Sequence, residues 1–196
     1  MLNLGIKSIS EIDNSSELVA YDRLYFYHQI FSNPQDYFNE KLLKKFQNSY
    51  SKEPPNYYQN GKLNIAIHIR RGDDISTENP HRYISSDLYD RIIEVLLGKF
   101  KGAIIHIFSW NDPKINIKSE RIIYHIASDG GEEFISDFNA LVHADILLIG
   151  SSTFSLSAGF FNKNAVLCSK KIFKIYEYAP HAPIWEKNFE NIIGEF

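Results

Sequence analysis

The sequence predicts an α/β protein in which a doubly wound, parallel β-sheet follows a small helical N-terminal piece. After residue 56, short apolar stretches with a strand-like period alternate with amphipathic, helix-like stretches, and this alternation is typical of parallel sheets. Before residue 56 only helical periods occur, and Pro54-Pro55 marks a linker. We therefore expect two parts, which are residues 1–56 and residues 57–196.

The N-terminal piece is predicted to contain two helices. Asn14 and Glu17 form a capping-box pattern, and apolar residues then recur at steps of three and four up to Phe31. Asn33-Pro34 ends this helix, because the residue before a proline disfavours helical geometry. A second helix is predicted from Gln35 to Gln47.

The larger part is predicted to contain five strands separated by helices. A period of two or a short apolar run marks the strands Leu63–Ile69, Ala103–Phe108, Ile122–Ile126, Asp145–Ile149 and Ala165–Cys168. Helices are predicted to open at Ser85-Ser86-Asp87, after Gly130-Gly131, and near Phe154. The Pro-rich tail with His181 and Trp185 is predicted to have a structural role. Ligands of such sheets bind at the carboxyl ends of the strands, so chemistry is expected there.

Composition excludes several classes of protein. The formal net charge of -3 does not indicate a nucleic-acid-binding protein. Cys168 is the single cysteine, so neither an intrachain disulfide nor a cysteine-based zinc site is expected. No apolar run reaches the ~18 residues of a membrane span, and no signal peptide is recognisable. We expect a cytoplasmic protein or a soluble domain of a larger one.

The first polar motif comes at the end of the first predicted strand, in His68-Ile69-Arg70-Arg71-Gly72-Asp73. The strand period puts His68 and Arg70 on the same face. A guanidinium group is a fixed fork of donors that stays charged, so it suits a diphosphate. Asp73 is expected to orient an arginine or to take part in catalysis. The alternative is that these arginines form only surface salt bridges.

The second motif follows the fourth predicted strand, where Gly150 precedes three hydroxyl residues and a helix start. Free backbone amides and the helix dipole favour an anion there, and hydroxyl groups add further donors. The hydroxyl residues are Ser151, Ser152 and Thr153. The alternative is ordinary N-capping of the helix, which needs no ligand.

Together the two motifs resemble those of the fucosyltransferases, over about Leu63 to Asn164. The first is similar to the His-x-Arg-Arg signature of α1,2-, α1,6- and protein O-fucosyltransferases, and Asp145–Ser155 is similar to their second donor-binding motif. The α1,2 type is the closer match. The resemblance implies a Rossmann-like domain, as in the donor-binding half of a GT-B-type glycosyltransferase. It also implies inverting transfer of fucose from the donor substrate GDP-fucose to a glycan hydroxyl, with no metal or other cofactor.

The resemblance also implies roles for individual residues. Arg70 would grip the donor diphosphate and neutralise it as it leaves, with support from Arg71, and Asp73 is the candidate catalytic base. His68 and Asp145 would contact guanine. The phosphates would be held by Ser151, Ser152 and Thr153, and Phe154 would pack near the nucleotide.

Several alternatives stay open from the sequence. The acceptor-side half of these enzymes is larger than residues 1–62, so the acceptor site is expected to be reduced, supplied by a missing domain or partner chain, or absent. The protein is then a fucosyltransferase, a transferase for another nucleotide sugar, or a non-catalytic nucleotide- or glycan-binding module. Trp110 either lines the donor pocket or only packs, and His106 and His125 are expected to be core or sheet-edge residues.

Overall fold

The computed structural model describes residues 40–71, 83–127, 133–169 and 182–194. It contains one five-stranded sheet in which every pairing is parallel. The strands are β1 (Asn64–Ile69), β2 (Ile104–Ser109), β3 (Ile122–Ile126), β4 (Ile146–Leu148) and β5 (Ala165–Leu167). The α-helices are α1 (Glu40–Ser49), α2 (Ser86–Lys99), α3 (Glu133–His143), α4 (Thr153–Phe161) and α5 (Ala182–Ile193), and a 3₁₀ turn spans Asn56–Tyr58. The predicted α/β class with a parallel sheet is confirmed.

The strand order is β3-β2-β1-β4-β5, which makes β1 the central strand. Its residues Ile65, Ala66, Ile67 and Ile69 are all buried, so apolar side chains cover both faces, as expected in a parallel sheet. The chain builds outward from β1 to β2 and β3, and then crosses back to add β4 and β5 on the other side. The sheet is therefore doubly wound, with its topological switch point between β1 and β4, and the order is compatible with the predicted Rossmann-like fold.

Helix starts follow the capping signals of the sequence. Ser85 is the N-cap of α2, and its side chain accepts a hydrogen bond from the Leu88 backbone amide at 3.3 Å. The buried face of α2 carries Tyr89, Ile92, Ile93 and Leu96. Its C-terminal end is held by Arg121, whose guanidinium donates to the carbonyls of Leu97 and Phe100.

Helix α1 packs on the α/β domain. Phe46 contacts the rings of Phe160 and Phe161, and the Gln47 side chain donates to the Asn162 carbonyl at 3.0 Å. The predicted second helix is observed at residues 40–49, whereas its residues 35–39 and the whole predicted first helix lie outside the described residues. The domain boundary at residue 56 stays a prediction.

The C-terminal tail, for which no secondary structure was predicted from the sequence, contains the regular helix α5. Trp185, Phe189 and Ile193 recur every four residues and are 4–6% exposed, which is the pattern of a helix packed against the core. Pro183 lies in the first turn, where a missing backbone N–H breaks no helical hydrogen bond. The structural role predicted for Trp185 is confirmed, and His181 lies outside the described residues.

Candidate functional site

The two polar motifs meet at the switch point of the sheet. Gly150 follows β4, and a Cβ atom added to it would lie 2.2 Å from the carbonyl oxygen of His68 in β1. Only a residue without a side chain permits this approach of the two backbones. The glycine of the second motif thus brings the ends of β1 and β4 together.

A cavity of about 350 Å³ opens at this edge, and we call it the switch-point cavity. It takes side chains from both motifs and from α3, among them His68, Arg70, Arg71, Ser152, Phe154 and Asp137. Its volume lies in the ordinary range for small-molecule sites. The structure therefore brings together residues such as His68 and Ser152, which are more than 80 positions apart in the chain. This is expected where parallel strands end at the same edge of a sheet.

His68 is a neutral imidazole in this site. Burial and the positive charge of Arg70 lower the pKa of His68 from its ordinary 6.5 to about 4. Its Nδ1 atom is buried and has no hydrogen-bond partner among the described residues. A buried polar atom without a partner is costly, so its presence beside a cavity indicates a place where a ligand would complete the hydrogen bonding.

The two arginines of the first motif differ in their surroundings. The Arg71 guanidinium donates to the carbonyls of Arg70 and Ile84, at 3.0 and 2.9 Å, and it also lies 4.9 Å from the centre of the Tyr83 ring. Arg71 thereby ties the end of β1 to the start of α2. Arg70 lines the cavity directly after β1, close enough to His68 to depress its pKa.

The hydroxyl residues of the second motif separate into different environments. Ser152 is the N-cap of α4, where its Oγ accepts from the Phe154 amide at 3.2 Å, and it also lines the switch-point cavity. The capping role left open by the sequence is therefore correct for Ser152. Ser151 is buried and Thr153 is exposed, and neither lines this cavity.

Asp145 lies at the opposite edge of the sheet, so the structure does not bring it to the cavity where the other predicted residues meet. It comes before β4, and its carboxylate accepts a hydrogen bond from the backbone amide of Asn64 at 2.8 Å. Asn64 is the first residue of β1, and the Asp145 amide donates back to its carbonyl. Asp145 thus joins the amino ends of the two central strands.

Asp137 is the carboxylate that the structure brings to the cavity, and it was not among the residues predicted from the sequence. Burial, with a smaller contribution from the negative charge of Glu133, raises the pKa of Asp137 to about 6. The signal was present in the helical period, because Phe134, Asp137 and Phe138 share one face of α3. A carboxylate on an otherwise apolar helix face, one turn after the helix begins, marks a site near the strand ends.

The end of β2 completes the cavity. Ser109 is buried, lines the cavity, and its hydroxyl has no partner within the described part of the chain. Trp110 also lines the cavity and is 41% exposed, so it is not only a packing residue, and its place in a donor pocket stays a prediction. Gly72 and Asp73 lie outside the described residues, and the catalytic role of Asp73 stays a prediction.

A second polar cluster lies on the sheet around His106 and His125, which are sheet residues as predicted. His106 Nδ1 is 3.0 Å from His125 Nε2, and His106 Nε2 is 3.3 Å from Asn64 Oδ1. The Asn64 oxygen is an acceptor, since Asn60 also donates to it. His106 therefore carries its proton on Nε2, and His125 must donate to the bare Nδ1. Burial, and less strongly His125, lowers the pKa of His106 to about 4.

Comparisons with protein-family models, curated proteins and solved structures found no match. Within residues 40–71, 83–127, 133–169 and 182–194, no three His, Cys, Asp or Glu side chains are grouped as metal ligands. None of the helices in these ranges is long and apolar enough to cross a membrane.

Proposed function

We propose that the protein is a nucleotide-sugar-dependent glycosyltransferase that transfers fucose from GDP-fucose to a glycan hydroxyl. In this proposal the described α/β domain is the donor-binding half of a GT-B-type fold. The observation that carries it is the convergence of both motifs on one cavity at the sheet's switch point, where His68 Nδ1 and Ser109 Oγ are buried without described partners.

The chemistry of the cavity suits a nucleoside diphosphate. Arg70 supplies a positive charge and planar donors for phosphate oxygens, while Ser152 lies at the N-terminus of α4, where the helix dipole favours an anion. Trp110 offers an exposed aromatic surface for a base or sugar ring. Neutral His68 is able to donate or accept a hydrogen bond without adding charge.

In this proposal Asp137, and not Asp145, is the residue that recognises guanine. A carboxylate accepts from both the N1 and N2 hydrogens of guanine, whereas uracil and cytosine lack that pair of donors. With a pKa of about 6, Asp137 is mostly ionised at pH 7 and able to act as this acceptor. The Asp145 carboxylate is already engaged by the Asn64 amide at the other edge.

The transfer step is a single displacement. The acceptor hydroxyl oxygen forms a bond to the anomeric carbon of fucose as the bond from that carbon to the phosphate oxygen breaks. The GDP leaving group keeps the electron pair, and Arg70 stabilises its growing negative charge. The proton of the hydroxyl passes to a base, for which Asp73 remains the candidate.

The test is turnover of a panel of GDP-fucose, GDP-mannose, UDP-galactose and CDP-linked sugar, with and without a mixture of glycan acceptors. We expect GDP-fucose to be consumed fastest, by hydrolysis alone if no acceptor fits. Preferred turnover of a UDP- or CDP-linked sugar would contradict the donor assignment. Tight GDP binding without any turnover would identify a binding module instead of an enzyme.

A further inference from the structure

A second cavity lies between α3 and α4, and we call it the α3–α4 cleft. Its volume is about 480 Å³. Both helices begin at the carboxyl edge of the sheet, so the cleft flanks the switch-point cavity. Phe134 and Phe154 line both spaces, which makes the two cavities neighbours with a common wall. The centre of the Phe154 ring lies 5.4 Å from the centre of the His68 ring and 5.5 Å from the centre of the Phe138 ring.

The surface of the cleft combines aromatic walls with a small number of polar groups. Its walls are apolar and largely aromatic, from Tyr50, Phe138 and Ile135 together with the two shared phenylalanines. Phe134 is 56% exposed and Ile135 is 44% exposed, so much apolar area faces the open cleft. Hydroxyl groups of Thr153 and Ser157, one turn apart on α4, and the side chain of Lys52 supply the polar part of the lining.

This combination matches a saccharide. A pyranose ring has an apolar face of C–H groups that packs on aromatic rings, and a girdle of hydroxyl groups that pairs with polar side chains at a rim. The volume suits roughly one or two such rings. Lys52 is the only charged residue in the lining that the structure describes, so the cleft suits neutral or anionic sugars.

We propose that the α3–α4 cleft binds a saccharide, and that this saccharide is the acceptor of the reaction. The acceptor assignment rests on the function proposed above. Continuity with the switch-point cavity is the reason for it, because the shared wall at Phe154 puts a sugar in the cleft next to the donor site.

The test is saturation-transfer NMR on the full chain with methyl β-galactoside, methyl β-N-acetylglucosaminide and methyl α-mannoside, with and without GDP. Ile135 lines the cleft and does not line the switch-point cavity, so Ile135→Ser is the first variant. Ser157→Tyr, at an exposed helix position, fills the cleft without touching the core. Ile184→Ser is the matched control, because Ile184 is a similarly exposed isoleucine on α5.

We expect at least one glycoside to bind the wild type, and both cleft variants to weaken it about tenfold or more, as loss of a covered apolar side chain or filling of the cleft implies. Ile184→Ser should keep saccharide binding, and all three variants should keep GDP binding. No binding of any of the three glycosides, or binding unaffected by both cleft variants, would overturn the inference. Saccharide binding without GDP binding would contradict the proposed function and leave the cleft as a saccharide site.

Discussion

Replacing Gly150 with alanine tests whether the contact between β1 and β4 builds the site. The new Cβ would lie 2.2 Å from the His68 carbonyl oxygen and 3.2 Å from the Tyr89 hydroxyl oxygen. An ordinary carbon–oxygen contact is roughly 1 Å longer than the first distance, so one of the two backbones has to move. Overpacking of this kind costs about 1–3 kcal/mol. For a chain of this length, that corresponds to a fall in Tm of about 2–12 °C.

The same movement displaces both motifs. GDP affinity should therefore fall even under conditions where the variant is fully folded. Thermal unfolding and calorimetric titration with GDP, at a temperature where the variant is folded, measure the two effects separately. Gly98→Ala is the control, since at this exposed position of α2 the added Cβ has no atom within 4 Å other than its chain neighbours and the backbone of its own helix. There alanine should leave the free energy of unfolding unchanged or raise it by up to about 1 kcal/mol. A Gly150→Ala protein with wild-type Tm and wild-type GDP affinity would show that the close contact of β1 and β4 does not build the site.

Charged side chains and the need for a metal can be tested with variants, pH and a chelator. Arg70→Lys should lower kcat for GDP-fucose about 10²–10³-fold with the fold retained by circular dichroism, because a point charge replaces a planar fork. Arg71→Lys should lower Tm, since the Arg71 guanidinium donates to the Ile84 carbonyl, and it should lower kcat less than Arg70→Lys does. A larger loss of kcat in Arg71→Lys than in Arg70→Lys would contradict these roles. On acidification, the free energy of unfolding should fall between pH 6.5 and about 4, where the unfolded chain binds protons that His68 and His106 exclude in the folded state. The fully buried His68 contributes about 3 kcal/mol of this loss. The raised pKa of Asp137 opposes the loss in part. Urea titrations that show no loss of stability in this window would contradict the neutral histidines. EDTA should leave turnover intact, and activity restored by added manganese after chelation would contradict a metal-independent reaction.

Strand identity and the carboxyl-edge position of both motifs could be predicted from the sequence, because they depend on local pattern. The apolar run before Gly150 has to be buried, and in a parallel sheet every strand end at one edge is a neighbour of the others. The glycine and the hydroxyl residues that follow this strand must therefore lie at the carboxyl edge of the sheet. Strand bounds agree with the prediction to within one residue at every end.

The carboxylate of the cavity, Asp137, could not be found in this way, because distance along the chain does not measure distance from the cavity. Asp145 is close to the second motif in sequence, yet the strand between them extends about 3.3 Å per residue and carries it to the other edge. Asp137 is further away in sequence, but α3 starts at the carboxyl edge and rises only about 1.5 Å per residue. One turn into the helix, Asp137 is still beside the cavity.

Helix α5 was missed for a related reason. The tail was described only as Pro-rich, and the burial of Trp185, Phe189 and Ile193 is seen only together with the elements they pack on. Trp185 contacts Phe160 of α4, and Asn188 donates to the Val166 carbonyl of β5. These are long-range contacts that no local pattern specifies.

Calorimetric titration of the protein with GDP, UDP and CDP shows whether the switch-point cavity binds a guanine nucleotide. We expect GDP to bind most tightly, and at about 100-fold over its dissociation constant it should stabilise the fold by about 2.7 kcal/mol. Asp137→Asn should remove the preference for GDP, because an amide presents only one acceptor to the N1 and N2 hydrogens of guanine, whereas Asp145→Asn should keep it. Equal affinity for the three diphosphates, or a GDP preference that survives Asp137→Asn and is lost in Asp145→Asn, would contradict guanine recognition by Asp137 in this cavity.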